Sequence, residues 1–166
     1  MADYYSPTVI QPTIPEADMT PLERLLLTQI FSADPDGDGV YFYAEEGPVD
    51  FIVLSRAEID AALAASNGTA GTAATCIAEC LSRLPPEETE IDLDLSGTST
   101  WEFIFQDIVR RSPTLRHVTA VASFGCSKMR PDGFGGMAVL ITADRILGKS
   151  THDLIAEFLA ETGLDA

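Results

Sequence analysis

The chain has 166 residues, 46% of them hydrophobic, and sets 26 acids against ten Lys and Arg for a formal charge of −16. That length fits one domain with a single core, and the hydrophobic content excludes general disorder. The charge is repelled by nucleic acid and by anionic membranes, and no apolar run approaches the ~18–20 residues that span a bilayer. The opening MADYYSPTVIQPTIP has neither a basic n-region nor an apolar h-region, so no secretory signal is expected. Three cysteines, Cys76, Cys80 and Cys126, are too few for a disulfide scaffold, and a cytoplasmic location follows as the expectation.

The charge is unevenly spread. Residues 1–55 hold ten acids and one base, Arg24, and residues 84–109 hold seven acids and no base. Residues 110–149 reverse the sign, with Arg110, Arg111, Arg116, Lys128, Arg130, Arg145 and Lys149 against Asp132 and Asp144. The pattern predicts an acidic body with one basic zone.

Residues 1–19 carry three prolines and no helical stripe, and predict an extended or flexible N-terminal arm before a single domain at 20–166. Thr20-Pro21-Leu22-Glu23 is a capping box opening a helix striped by Leu22, Leu25, Leu26 and Ile30. Val40–Ala44 and Val49–Leu54 flank Glu45-Glu46-Gly47-Pro48 and predict a hairpin. Ser55-Arg56-Ala57-Glu58 caps a second helix. A third, at about 72–84, carries Cys76, Ile77, Cys80 and Leu81 and stops at Pro85-Pro86. Glu90–Leu95 alternates Ile91, Leu93 and Leu95 with Asp92 and Asp94, a half-buried strand. Ser99-Thr100-Trp101-Glu102 caps a helix whose stripe is Trp101, Ile104, Phe105, Ile108 and Val109. Val118–Phe124 and Met137–Thr142 are strands around a long loop. Ser150-Thr151-His152-Asp153 caps a last helix striped by Leu154, Ile155, Phe158 and Leu159. Mixed order and paired strands predict an α+β fold: one two-layer domain, a largely antiparallel sheet of about five strands, and helices packed mainly on one face.

Asp34-Pro35-Asp36-Gly37-Asp38-Gly39 followed by five residues and Glu45 fits a calcium-loop spacing, in which Asp34, Asp36, Asp38 and Glu45 would supply oxygens to Ca²⁺. Tyr41-Phe42-Tyr43 reads as strand where that motif needs an exiting helix, so the competing reading is a solvated acidic turn. Residues 143–150 fit a loose phosphate-loop pattern, but Asp144, Ile146 and Leu147 suit a wrapping backbone poorly, and Ser150 as a helix cap is the simpler account. The loop 126–136 is longer than a hairpin needs. Its Gly133, Gly135 and Gly136, with Lys128 and Arg130, could form an anion-binding nest, or the loop could simply be mobile. Arg110 and Arg111 join the candidate binding set by charge, although a helix C-terminus alone accounts for them. Cys126 would need a base, and only His117 and His152 exist, with nothing local to bring them together. Cys76 and Cys80 sit one helical turn apart on an apolar stripe and read as core.

At MTPLERLLLTQIF, WEFIFQDIVRRS and CSKMRPDGFGGMAVLITA, and through the opening arm, the chain resembles a group of uncharacterised proteobacterial proteins associated with plasmids and other mobile elements. The group carries no activity to transfer, so the resemblance gives no residue a role; it implies a cytoplasmic bacterial accessory protein. With no convincing catalytic constellation, the sequence reads first as a non-enzymatic interaction protein. One version is an acidic decoy that occupies the nucleic-acid site of a partner protein rather than binding nucleic acid itself. A calcium module at 34–45 and an enzyme with a pocket beside 126–136 are the alternatives, and a homodimer is conceivable if the arm packs on a second copy.

Overall fold

The computed structural model describes residues 1–96 and 100–164. The chain runs β1 (Tyr4–Tyr5), β2 (Thr8–Gln11), β3 (Ile14–Pro15), α1 (Pro21–Ile30), β4 (Ser32–Asp36), β5 (Gly39–Ala44), β6 (Phe51–Ser55), α2 (Arg56–Ala65), α3 (Thr72–Leu81), β7 (Glu90–Asp94), α4 (Thr100–Arg111), β8 (His117–Cys126), β9 (Gly135–Thr142), β10 (Ile146–Ser150) and α5 (Thr151–Thr162). The fold is α+β, with every strand pair antiparallel. The main sheet has eight strands rather than about five, and β6 and β7 form a second, two-stranded sheet.

The extra strands come largely from the N-terminal residues. They are extended, as expected, but they occupy the middle of the main sheet: β2 pairs β8 on one side, Val9 opposite Val121, and β5 on the other, Val9 opposite Tyr43. β1 continues β2 along β8, and β3 continues it along β5. Proline-rich sequence hid these strands, because a chain broken by Pro7, Pro12 and Pro15 offers only two- to four-residue runs.

The expected hairpin joining 40–44 to 49–54 does not form. β5 instead pairs the preceding β4 through a two-residue turn, Gly37-Asp38, in which Gly37 takes the left-handed conformation (φ 62°) that such turns need. The backbone of 45–50 leaves the sheet, with the Glu46 carbonyl accepting from Ser6 N–H (3.0 Å) and Val49 N–H donating to Ile30 (3.0 Å), and β6 pairs β7.

Alternation splits the main sheet into two faces. Ile10, Val40, Phe42, Val118, Ala120, Val139 and Ile141 are buried on the inner one, against α1 and α4. One cluster of buried residues joins this layer to Ile52 and Leu54 of β6 and to Ile91 and Leu93 of β7. α4 behaves as its stripe predicts: Ile104, Phe105, Ile108 and Val109 are buried, Trp101 meets Phe31 edge-on at 5.5 Å, and Phe105 meets Phe42 edge-on at 5.9 Å and Phe31 at a tilt at 6.0 Å. The Ser99 half of its expected capping box lies outside the described residues. The boxes at Thr20, Ser55 and Ser150 all close. α5 forms with its stripe, but does not bury it. None of its residues is buried, and Ile155 and Phe158 are 55% and 58% exposed. Its capping box and the left-handed Gly163 at its C-terminus are enough to form a helix; neither gives it a surface to bury.

Candidate functional site

The second face of the main sheet carries solvent-exposed apolar residues along β2, β8 and β9. The residues of β4, β5, β2, β8 and β9 that share this face are Asp34 and Asp36, Tyr41 and Tyr43, Val9, Thr119 and Val121, and Leu140, in register across the strands. Val9, Val121 and Leu140 are exposed, Val121 to 48%. Strand alternation places Tyr41 and Tyr43 on one side of β5 while Phe42 enters the core, and their rings stack with centroids 5.4 Å apart. Asp34 stands directly across from Tyr41 and beside Tyr43, where its negative charge, with some burial and a hydrogen bond, pushes the Tyr43 phenol above its usual range. A depression of about 520 Å³ continues from Asp36 and Tyr41 to His117, Thr119 and Gln11. Thr13 fixes Asp36 by donating its hydroxyl to Oδ2.

The calcium reading does not survive this geometry. Asp34 and Asp36 lie in a strand, Asp38 lies in the turn, and Glu45 follows the far end of β5. At ~3.3 Å per residue, Glu45 is on the order of 20 Å along the strand from that turn, so no loop wraps a cation. Among the described residues, no group of three or more His, Cys, Asp or Glu could hold a metal ion.

The basic zone also comes apart. β8 is ten residues long, and its hairpin with β9 puts Lys128 and Arg130 in the loop at one end while Arg110 reaches the turn at the other. Arg110 Nε donates to the Ala143 carbonyl (2.8 Å), and its other nitrogens reach Asp107 and Gln106 (3.1 and 2.9 Å). Arg111 pairs with buried Glu23 at 2.5 Å. Both arginines are thus committed to the fold. Lys128 and Arg130 are exposed. The glycines of that loop serve close packing rather than a nest: a Cβ on Gly133 would lie 2.4 Å from that of Cys126, and one on Gly135 would lie 2.7 Å from Thr151 Oγ1. Gly136 N–H is already spent on Thr151 Oγ1 (3.2 Å). The phosphate-loop alternative fails too, because 146–150 is strand β10, paired with β9, and Ser150 caps α5.

Of the two histidines, His152 lies beside the 126–136 loop, where a Cβ on Gly135 would come within 3.5 Å of its ring, while His117 is far from it. Cys126 is buried, and it stands at the opposite end of β8 from His117, about 30 Å away at ~3.3 Å per residue. Burial pushes the Cys76 thiol upward, away from nucleophilic chemistry. The cleft near this loop, about 310 Å³, lies between Tyr4, Tyr5, Ser6, Phe124 and Asp132, and neither His nor Cys is among its described lining residues. Among the described residues no helix is long and apolar enough to cross a membrane.

The residues that matter most here, Tyr41 and Tyr43, drew no functional reading from sequence. The Tyr-Phe-Tyr alternation was the available signal, since it turns two aromatic rings away from the core. Comparison with protein-family models, with curated proteins and with solved structures finds no match for the chain.

Proposed function

We propose that this chain is a non-enzymatic interaction protein whose open sheet face docks a positively charged surface of a partner protein. The stacked Tyr41–Tyr43 pair beside Asp34 and Asp36 carries the reading. A guanidinium or ammonium group gains from a tyrosine face and from a carboxylate next to it, while the neighbouring Val9 and Val121 give the contact an apolar centre. The −16 charge steers such a partner into contact. A surface that attracts guanidinium groups competes with phosphate for them, so the specific version is a decoy for the nucleic-acid site of a basic protein, in a bacterial cytoplasm and in the mobile-element setting that the resemblance implies.

Fluorescence anisotropy with a labelled deca-arginine peptide tests this. Tyr41→Ala with Tyr43→Ala is expected to weaken binding on the order of tenfold, from two lost cation–π contacts, with the melting temperature little changed. Binding should also fall steeply between about 50 and 300 mM salt, and double-stranded DNA should compete for the peptide. Affinity that ignores the double substitution, or that ignores salt, overturns the proposal.

A further inference from the structure

The two-stranded sheet has an unpaired edge, and a groove runs along it. β7 pairs β6 with Leu93 opposite Ile52 and Ile91 opposite Leu54. The ladder continues past both ends: Leu95 N–H donates to Asp50 O (2.7 Å), and Arg56 N–H donates to Thr89 O (2.9 Å). The main-chain groups of the odd-numbered residues 89–95 therefore face β6. In an antiparallel ladder the N–H and C=O of one residue point the same way, so those of Glu90, Asp92 and Asp94 face the other side. The Cys80 thiol of α3 confirms the direction, donating weakly to the Asp92 carbonyl at 3.7 Å.

On that side lies a cleft of about 730 Å³ between β7, α3 and the start of α4, within the range of ligand sites. β7 lines it with Asp92, Leu93 and Asp94, ~10 Å of strand. Phe103 of α4, 45% exposed, closes one end as an apolar seat. Glu79, Asp92 and Asp94 border the groove against a single base, Arg83. Asp107, also at its margin, is occupied by the amide and hydroxyl of Thr72, each at 2.7 Å. Asp94 accepts from the hydroxyl and amide of Ser96, which hold its carboxyl below the ordinary range and keep it charged.

We infer that the groove between β7 and α3 binds an extended segment of a partner protein, rich in Lys and Arg, by adding it to β7 as a third strand. An open strand edge facing a helix supplies main-chain hydrogen bonds, and the flanking side chains supply selection. Here the selection is for positive charge, and a third strand completes a sheet that two short strands leave minimal. The incoming amide takes the Asp92 carbonyl from the Cys80 thiol, exchanging a weak donor for a strong one, and α3, which that one side chain holds close to β7, shifts outward to admit the strand. This site is separate from the open face of the main sheet and stands whether or not that face docks anything.

The probe is an acetylated, amidated pentapeptide, Lys-Val-Arg-Val-Lys, titrated into the full chain and followed by amide hydrogen exchange. Protection should rise at Glu90, Asp92 and Asp94, affinity should drop about tenfold or more when alternate peptide amides are N-methylated, and a Glu-Val-Glu-Val-Glu peptide should not bind. Thr75→Trp, at an exposed position on the α3 wall, should block the groove. The inference is overturned if no peptide binds, if the N-methylated or acidic peptide binds equally well, or if those three amides gain no protection. The peptide comparisons decide on the native protein even if Thr75→Trp misfolds.

Discussion

Arg111 and Glu23 show how a residue that looks functional can be structural. Glu23 is buried, accepts from Thr20 N–H (2.8 Å) in the capping box of α1, and takes Arg111 on the same oxygen, Oε2. Arg111→Ala leaves that carboxylate buried without its counter-charge, and should cost about 3 kcal/mol in denaturant unfolding. Lys128→Glu with Arg130→Glu, at exposed loop positions, should change stability by less than about 0.5 kcal/mol. A second residue-scale case is Glu102, whose Oε2 is buried without a hydrogen-bond partner among the described residues. Burial, with a smaller contribution from the negative charge of Asp50, raises its carboxyl above the usual range. A raised folded-state value means that stability is fully present below the unfolded-state value, about pH 4, and is lost as pH rises through the folded-state value. Glu102→Gln, neutral throughout, should therefore melt higher than the parent at pH 7, with the difference closing below about pH 4; a constant difference across that range would count against it.

At the scale of elements, the helices were legible because their signals are local. A hydroxyl at the cap, an acid three residues on and a 3.6-residue stripe lie within one turn or two of each other, and Thr20, Ser55 and Ser150 all cap as read. What each stripe touches is not local. α4 buries its stripe, while α5, with Ile155 and Phe158, leaves its own exposed. Strand pairing depends on distant chain even more. The turn at Gly37-Asp38 could be taken for a metal loop because Asp and Gly serve both, and only the pairing of β4 with β5 decides between them. β2 sits between β8 and β5, with Ile10 fully buried. Deleting residues 1–15 would unpair both neighbours, so the truncated chain should lose cooperative thermal unfolding by circular dichroism. A midpoint within a few degrees of the full chain would mean that β2 is dispensable.

At the scale of the molecule, charge that is contiguous in sequence is scattered in space. Arg110 and Arg111 end α4 and are tied into the fold, while Lys128 and Arg130 occupy the loop at the far end of the β8–β9 hairpin, so these two pairs do not meet. The acids behave differently, because there are enough of them to border both surfaces proposed for partners: Asp34 and Asp36 on the open face, and Glu79, Asp92 and Asp94 at the groove. Composition alone determined that the chain is strongly acidic, since net charge needs no geometry. Periodicity and capping determined the helices and the half-buried β7, since both act over a few residues. Tertiary structure alone decided that the proline-rich opening is a central strand, that Tyr41 and Tyr43 lie on the sheet face opposite the core, and that the edge of β7 faces a cleft. Each of those depends on which distant segment pairs with which, and that choice is set by a core assembled from the whole chain.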